Sequence, residues 1–599
     1  MVRMALAAIV GWLATLGIVV TAPQKAAQPL PPAQRLIVIV CDGLTLRDVE
    51  RMGDPATTLL RRGAVGLLSG SSLELHGRRS VYVTLGSGVR RRAADRAALG
   101  RWLMQHRKTM CIVGDNMVAA LLGATAPRCR QTNAADITFI ATSPQTLPAT
   151  LRHWIAHLRA TDCLWLIVPN SPQVGWTTRR LTPIVLFGAS VPRGWLTSPT
   201  TRTVGLVSSV DFAPTVLTQL RLPIPAEVTG AQMHLVRAPD PLPHLRWLDE
   251  RSQLPLRQLP TVAVISVVAV AAALALTALA LLHPLPCWRR WQCAVVIAGM
   301  SIPVLLFVCG QLPFSGTPFA LLLFCVLGVV AVISAFGLPT DLPAYRIAGV
   351  VCGVSALIGL LGVPLYWATP LGHYPTTGWR YFGITNAGIG IVLAGTVFAW
   401  GALRLPHRWM VVWCAIAPLL MGSSLWGANF GGAMTLAVGF AAAWELLVTE
   451  RPAWQRGVAR SLLALLATVG TLTLTESWLP VDERAHYGQL LLRLQSVGVG
   501  ALTEMVTRKL ALLWRFTTAL SLNWALLAIF AAFTVSVPLL LRRSAALAPL
   551  RSAFIATFIG AWCGFCLNDS GIEVIGMALV YVGGMFLITL PHCRPLGRR

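Results

Sequence analysis

The residues of this chain whose types and spacing could do chemistry fall into two sets. The first is one acid, Asp42, placed directly after the run Leu36-Ile37-Val38-Ile39-Val40-Cys41. An aliphatic run of this length, bounded by polar residues, reads as a fully buried parallel strand. Ligands of open α/β sheets bind at the carboxyl ends of such strands. A carboxylate there can ligate a metal or accept a proton, and it can equally cap the following loop. The second set is four polar motifs that interrupt apolar sequence: Gly378-Trp379-Arg380-Tyr381-Phe382-Gly383-Ile384-Thr385-Asn386, then Trp426-Gly427-Ala428-Asn429-Phe430-Gly431-Gly432, then Glu476 with Asp482-Glu483-Arg484-Ala485-His486-Tyr487-Gly488, and last Asn568-Asp569-Ser570-Gly571. Polar groups at membrane depth are costly and tend to line cavities. The same residue types also build ordinary turns. Arg380, Arg484, Arg508 and Lys509 are the cations suited to an anionic ligand, since a guanidinium fork matches phosphate oxygens. Asn386, Asn429, His486, Asn568 and Asp569 would line the cavity that receives it.

The elements that must position these residues divide sharply by composition. The 599 residues are 55% hydrophobic and only 12% charged, with a mean hydropathy of +0.66. Soluble chains carry about 25% charged residues, so this is the composition of an integral membrane protein. The formal net charge is +26, nearly all from arginine, with lysine only at Lys25, Lys108 and Lys509. Such a balance suits cytoplasmic loops of a membrane protein better than a nucleic-acid partner. The pair Cys563 and Cys566 has no second pair at zinc spacing, so no metal ribbon is read there. Cys111, Cys129 and Cys163 are placed where a disulfide is conceivable.

Along the chain, residues 1–22 hold an apolar segment read as an uncleaved signal anchor, with a cleaved signal peptide as the alternative. Residues 23–34 form a Pro-rich linker. Residues 35–257 alternate short apolar runs (36–40, 64–68, 110–113, 137–140, 163–168, 183–187) with helical patterns at 97–106 and 147–159, which predicts an α/β domain on a parallel sheet with helices on both faces. Residues 258–599 predict an all-α membrane domain of about 11 spans, near 260–282, 292–310, 317–337, 347–367, 383–402, 409–425, 429–447, 460–478, 523–541, 553–568 and 572–590. Those at 409–425, 429–447 and 553–568 are short enough to be re-entrant. Arginine falls in every loop that is cytoplasmic if both termini are, which places residues 23–257 and the basic segment 479–522 outside the cell membrane.

Three pieces of the α/β domain occur in an order that resembles the alkaline phosphatase superfamily: Ile37-Val38-Ile39-Val40-Cys41-Asp42-Gly43, then Leu181-Thr182-Pro183-Ile184-Val185-Leu186-Phe187-Gly188, then Val210-Asp211-Phe212-Ala213-Pro214-Thr215. The resemblance implies a metal-assisted site for a phosphate or sulfate ester, with Asp42 as a ligand and a hydroxyl as nucleophile. The chain departs from that pattern. Ser80 and Thr84 stand where the nucleophile belongs but outside a matching motif, and Pro169-Asn170-Ser171-Pro172 replaces the expected Asp-His pair. His153 and His157, four apart on one helix, sit beside Arg152 and Arg159 and read as a solvated basic face. Asp211 reads as a helix cap. The membrane motifs, with Arg508-Lys509-Leu510, resemble a group of bacterial polytopic membrane proteins of unassigned activity. The layout also resembles the ethanolamine-phosphate transferases of the glycolipid-anchor pathway, by architecture alone.

Together these features predict a cell-envelope membrane protein whose phosphatase-like domain leans away from catalysis and binds no cofactor. Its expected partners are membrane lipid and an anionic or lipid-linked envelope polymer, without nucleic acid. Two alternatives stay open. One is an active phospho- or phosphoethanolamine transferase or hydrolase using Zn or Mn. The other is a transporter, although no inverted repeat is evident.

Overall fold

The run that precedes Asp42 is the strand β2 (Arg35–Val40), buried along its whole length between β5 (Ile137–Ala141) and β6 (Asp162–Ile167), both parallel to it. The computed structural model describes residues 27–74, 77–114, 116–123, 135–173, 178–283, 285–336, 343–542 and 544–590. The apolar segment 4–22, His76, Cys129 and the arginine tail at 594–599 lie outside them. Two compact units make up the chain: an α/β unit, reaching Leu256 and also including His373–Tyr381, and a helical unit holding the rest.

The α/β unit has a 10-stranded sheet. Its other strands are β1 (Gln28–Pro29), β3 (Ala64–Ser69), β4 (Met110–Val113), β7 (Thr182–Phe187), β8 (Gly194–Thr197), β9 (Leu206–Ser208) and β10 (His234–Arg237). The order is β1-β10-β8-β3-β7-β6-β2-β5-β4, with β9 paired to β3. All six expected strands are present to within one residue at each end. The sheet is mixed, however, not parallel. β7 runs against β3 and β6, and β10 runs against β1 and β8. A parallel neighbour requires a long crossover, usually helical. The connection from β6 to β7 has no helix among its described residues. Burial hides this in the sequence, because β6 and β7 are both almost wholly buried and read alike whichever way they run. The helices are α1 (Leu46–Arg51), α2 (Ala56–Arg62), α3 (Arg78–Ser87), α4 (Leu99–Gln105), α5 (Asn116–Leu122), α6 (Leu147–Ala156) and α7 (Phe212–Gln219).

The core strands carry one buried charge pair. Arg35 and Asp162 are register partners at the start of β2 and β6, with Nη2 donating to Oδ2 at 2.6 Å and Nε at 3.2 Å. Asp162 also accepts from the Arg159 backbone N–H at 3.0 Å, which ties the turn before β6 to the same carboxylate. Cys111 and Cys163 are both buried, and Cys163 is free.

The helical unit starts within α8 (Leu242–Leu282) and continues through α9 (Pro286–Met300), α10 (Ile302–Cys309), α11 (Gly316–Phe336), α12 (Ala344–Leu361), α13 (Asn386–Leu403), α14 (His407–Gly422), α15 (Phe430–Leu447), α16 (Trp454–Trp478), α17 (His486–Val497), α18 (Gly500–Thr518), α19 (Ser521–Leu541), α20 (Ala548–Leu567) and α21 (Gly571–Thr589). Among the described residues, 10 helical spans are long and apolar enough to cross a membrane. Segment 409–425 falls out of the expected set, because its helix, α14, has only 16 residues and contains Pro418. The other two segments that could have been re-entrant, α15 and α20, reach 18 and 20 residues. The span expected at 292–310 is two helices divided at Ser301.

Several of these helices leave apolar surface bare. The most apolar window of α11 has a mean hydropathy of 2.9 and is 28% buried, and that of α19 has 2.3 and is 17% buried. Water does not tolerate continuous apolar faces of that extent, and hydrocarbon does. The chain is a multi-pass membrane protein with an attached α/β domain. At the centre of the bundle lies α13, 94% of whose span window is buried; it packs against α12, α15, α20 and α21. Its glycines permit the approach: a Cβ at Gly390 would strike Val574 O, and one at Gly395 would strike Cys352 O.

Arg35→Met should destabilise the α/β unit by about 3–5 kcal/mol, since it strands the Asp162 carboxylate in the core. The check is the thermal midpoint of the purified chain. A midpoint equal to wild type would show that the pair contributes nothing.

Candidate functional site

β2, β3, β6 and β9 run in one direction, so the residues just beyond their carboxyl ends share one edge of the sheet: Asp42 after β2, Ser71 after β3, Asn170 after β6 and Ser209 after β9. Asp42 accepts from the Asn170 backbone N–H at 3.0 Å and from Asn170 Nδ2 at 3.2 Å, and the Tyr82 hydroxyl also bonds it. Burial pushes its carboxyl above the usual carboxylate range, opposed by these bonds and by the Arg78 charge. Neutral donors therefore occupy the surroundings in which the phosphatase resemblance implies metal ligands. Among the described residues, no three His, Cys, Asp or Glu side chains come together. A cavity of about 360 Å3 opens beside Asp42, with Tyr82, Thr142, Ser143 and Thr146 in its wall. That lining can hydrogen-bond a small polar group.

The two hydroxyls considered as nucleophiles lie on α3 and are fully buried. Ser80 Oγ donates to Gly77 O at 2.6 Å, and Thr84 Oγ1 accepts from Arg91 N–H at 3.0 Å. Both serve local structure. His157 Nδ1 lies 2.7 Å from His153 O on an exposed helix face, the arrangement of a solvated surface.

Asp211 caps, but not the helix expected. It precedes α7 without a side-chain bond to it. Instead it closes a capping box with Ser208 over the short turn Ser209–Asp211. It accepts from Ser208 N–H at 2.9 Å, Ser198 Oγ at 2.7 Å, Thr200 Oγ1 at 2.5 Å and Ala231 N–H at 3.1 Å. Burial without a cation raises its pKa from the usual 3.8 to about 6, against the pull of those bonds.

In the helical unit, Ile384 and Asn386 of the first polar motif, Asn429 of the second and Asp569 and Ser570 of the last form one hydrogen-bonded network. Thr385 caps α13, and Asn429 caps α15 with Oδ1 accepting from Gly432 N–H at 3.0 Å. Asn429 Nδ2 donates to Ile384 O at 2.9 Å and to Asn386 Oδ1 at 3.2 Å. Asn386 Nδ2 in turn donates to Asp569 Oδ1 at 3.0 Å and to Ser570 Oγ at 2.6 Å, just before α21. Asn568 Nδ2 donates to Gly564 O at 2.8 Å, and a Cβ on Gly431 would collide with Asn568 Oδ1. The third motif lies beside the second: Ser424 N–H donates to Glu476 Oε1 at 3.1 Å, Ser424 Oγ accepts from Ala485 N–H at 2.7 Å, and the Tyr487 ring stacks on Phe430 at 3.8 Å. Lys509, on α18, donates to Leu567 O at 3.2 Å, the residue before Asn568.

The amino ends of α13, α15 and α21 thus converge, each contributing a partial positive charge, with a lysine alongside and one carboxylate among them. Of the residues singled out by sequence, Asn386, Asn429, Asn568, Asp569 and Lys509 meet here. Arg508 is exposed on α18. Arg484 turns back on its own loop, donating to Leu479 O at 3.0 Å. His486 opens α17, but its side chain lies outside the described set. Asp42 and Arg380 belong to the α/β unit. Sequence reasoning quoted Thr385 and Ser570 within their motifs without giving them a role, and missed Ser424 and Thr435, whose Oγ1 donates to Gly431 O at 2.8 Å; small hydroxyls that cap and bridge have no signature until the helix starts are known.

Asp211 generates a pH dependence. Its native pKa is raised, so the stability it confers is fully present below about 3.8 and is lost as pH rises through about 6, a change of roughly 3 kcal/mol. Unfolding followed by tryptophan fluorescence across that window should show the decline in wild type and a flatter profile in Asp211→Asn; identical profiles would refute it. No family model matches the chain, no curated protein matches it, and no solved structure matches its fold.

Proposed function

We propose that this multi-pass membrane protein recognises an anionic, lipid-linked component of the cell envelope at the junction of α13, α15 and α21, with its α/β domain outside the membrane serving binding rather than hydrolysis. The observation that carries the reading is the convergence of three helix amino ends, Lys509 and the Asn386-Asn429-Asp569 network in one place within an otherwise apolar body. Helix amino ends attract anions, and discontinuities between membrane helices form the anion sites of many membrane proteins. The arginine distribution supports an outer placement of the junction and of the α/β domain. The resemblance to the alkaline phosphatase superfamily supports a domain descended from phosphate-ester recognition. Asp42, held by Asn170 and Tyr82, supports loss of the metal chemistry.

Lipid retention by the purified chain, measured by native mass spectrometry with phosphatidylglycerol against phosphatidylcholine, tests this. Wild type should favour the anionic lipid. Lys509→Gln should weaken that preference about fivefold, the effect of removing one cation near an anionic headgroup. Equal retention of both lipids by wild type, or an unchanged preference in Lys509→Gln and Asn386→Ala alike, would reduce the junction to a set of turns.

A further inference from the structure

The α/β unit holds a second feature that the junction does not explain. Arg179, just before β7, is 6% exposed. Its Nη1 donates to Gly70 O at 2.8 Å, but its Nη2 is buried without a hydrogen-bond partner. Among the described residues no carboxylate pairs with it. A buried cation lacking a counter-charge carries a desolvation penalty, and arginine does not relieve it by losing its proton. Burial pulls its pKa down, and the neighbouring Tyr381 hydroxyl pushes it back up.

Around Gly70 the same sheet edge is crowded with hydroxyls. Ser71 Oγ lies 3.0 Å from both Ser208 Oγ and Ser209 Oγ, and Tyr381 OH donates to Ser208 Oγ at 3.0 Å. Tyr381 ends the segment His373–Tyr381, which lies across this edge as a strap. Ser69 Oγ donates to Pro375 O at 2.6 Å, and Arg90 donates to Gly378 O. Gly378, at φ +69°, sits where any Cβ would strike Ser71. Between those two strap residues, Thr376 Oγ1 is a second buried polar atom without a partner. Strand carboxyl ends, a guanidinium with a nitrogen to spare and several rotatable hydroxyls together have the chemistry of a tetrahedral oxyanion site.

We propose that Arg179, with the hydroxyls of Ser71, Ser208 and Tyr381, binds a phosphate group at the carboxyl edge of the sheet beneath the His373–Tyr381 strap. The anion neutralises Arg179 and takes the unused Nη2 donor. Hydroxyls that now bond one another turn toward it as donors. The group is either a free phosphate or the phosphate of a lipid headgroup.

The test uses the full chain in detergent, with the thermal midpoint read against inorganic phosphate, against chloride at equal ionic strength, and against short-chain phosphatidic acid. Phosphate should raise the midpoint saturably where chloride does not. Stabilisation by phosphatidic acid alone would assign the lipid source and keep the site. Arg179→Gln should abolish the response. Tyr381→Phe, which keeps the ring and the fold, should weaken apparent affinity about tenfold, as expected for one hydrogen bond to a charged group. No specific response to either phosphate form in wild type, or an undiminished response in both variants, overturns the site. Lys509→Gln leaves this response intact, so failure here is separable from failure at the helical junction.

Discussion

A polar group removed from water must find a partner, and this constraint organises both units. In the helical unit it is most severe where three apolar helices begin, since each helix start presents unpaired backbone N–H groups. Asn429 meets it with one side chain used in both senses: Oδ1 caps α15 while Nδ2 reaches Ile384 and Asn386. Asn386 passes the connection to Asp569 and Ser570. Without Asn429 the start of α15 would lose its cap, as that of α13 would without Thr385, and a buried donor left unpaired is costly. The central position of α13 depends on this arrangement as much as on its glycines.

The α/β unit meets the same constraint at its carboxyl edge. Strand ends there carry Asp42, Asn170, Asp211 and a set of serines, and nearly every polar atom is taken by another. Asp42 has Asn170 and Tyr82; Asp211 has four donors. This edge directs most of its donors and acceptors at each other and is covered in part by the chain's own strap. Arg179 Nη2, Thr376 Oγ1 and Asn170 Oδ1 are exceptions against that background.

The two units differ in what holds them together. The sheet buries continuous aliphatic strands such as β2, for which the hydrophobic effect supplies the drive. In the helical bundle the surroundings are as apolar as the helices, so close approach at Gly390 and Gly395 and the polar network at the helix starts must supply the specificity.

The sequence by itself determined the strands whose patterning is local. The run Leu36–Val40 is a strand because five consecutive aliphatic residues have no other comfortable place, and the shorter apolar run ending in Phe187 is one as well. It likewise determined the long spans, through length and hydropathy, and it marked the four polar motifs as costly where they stand. Only the tertiary structure decided strand direction, since a fully buried strand looks the same run either way. It also decided that Asp211 caps the turn before its helix, that Arg380 and Tyr381 travel with the α/β unit, and that motifs as far apart as Asn386, Asn429 and Asp569 bond one another. Those outcomes depend on partners distant in the chain, and a local pattern carries no information about a partner until folding brings it near.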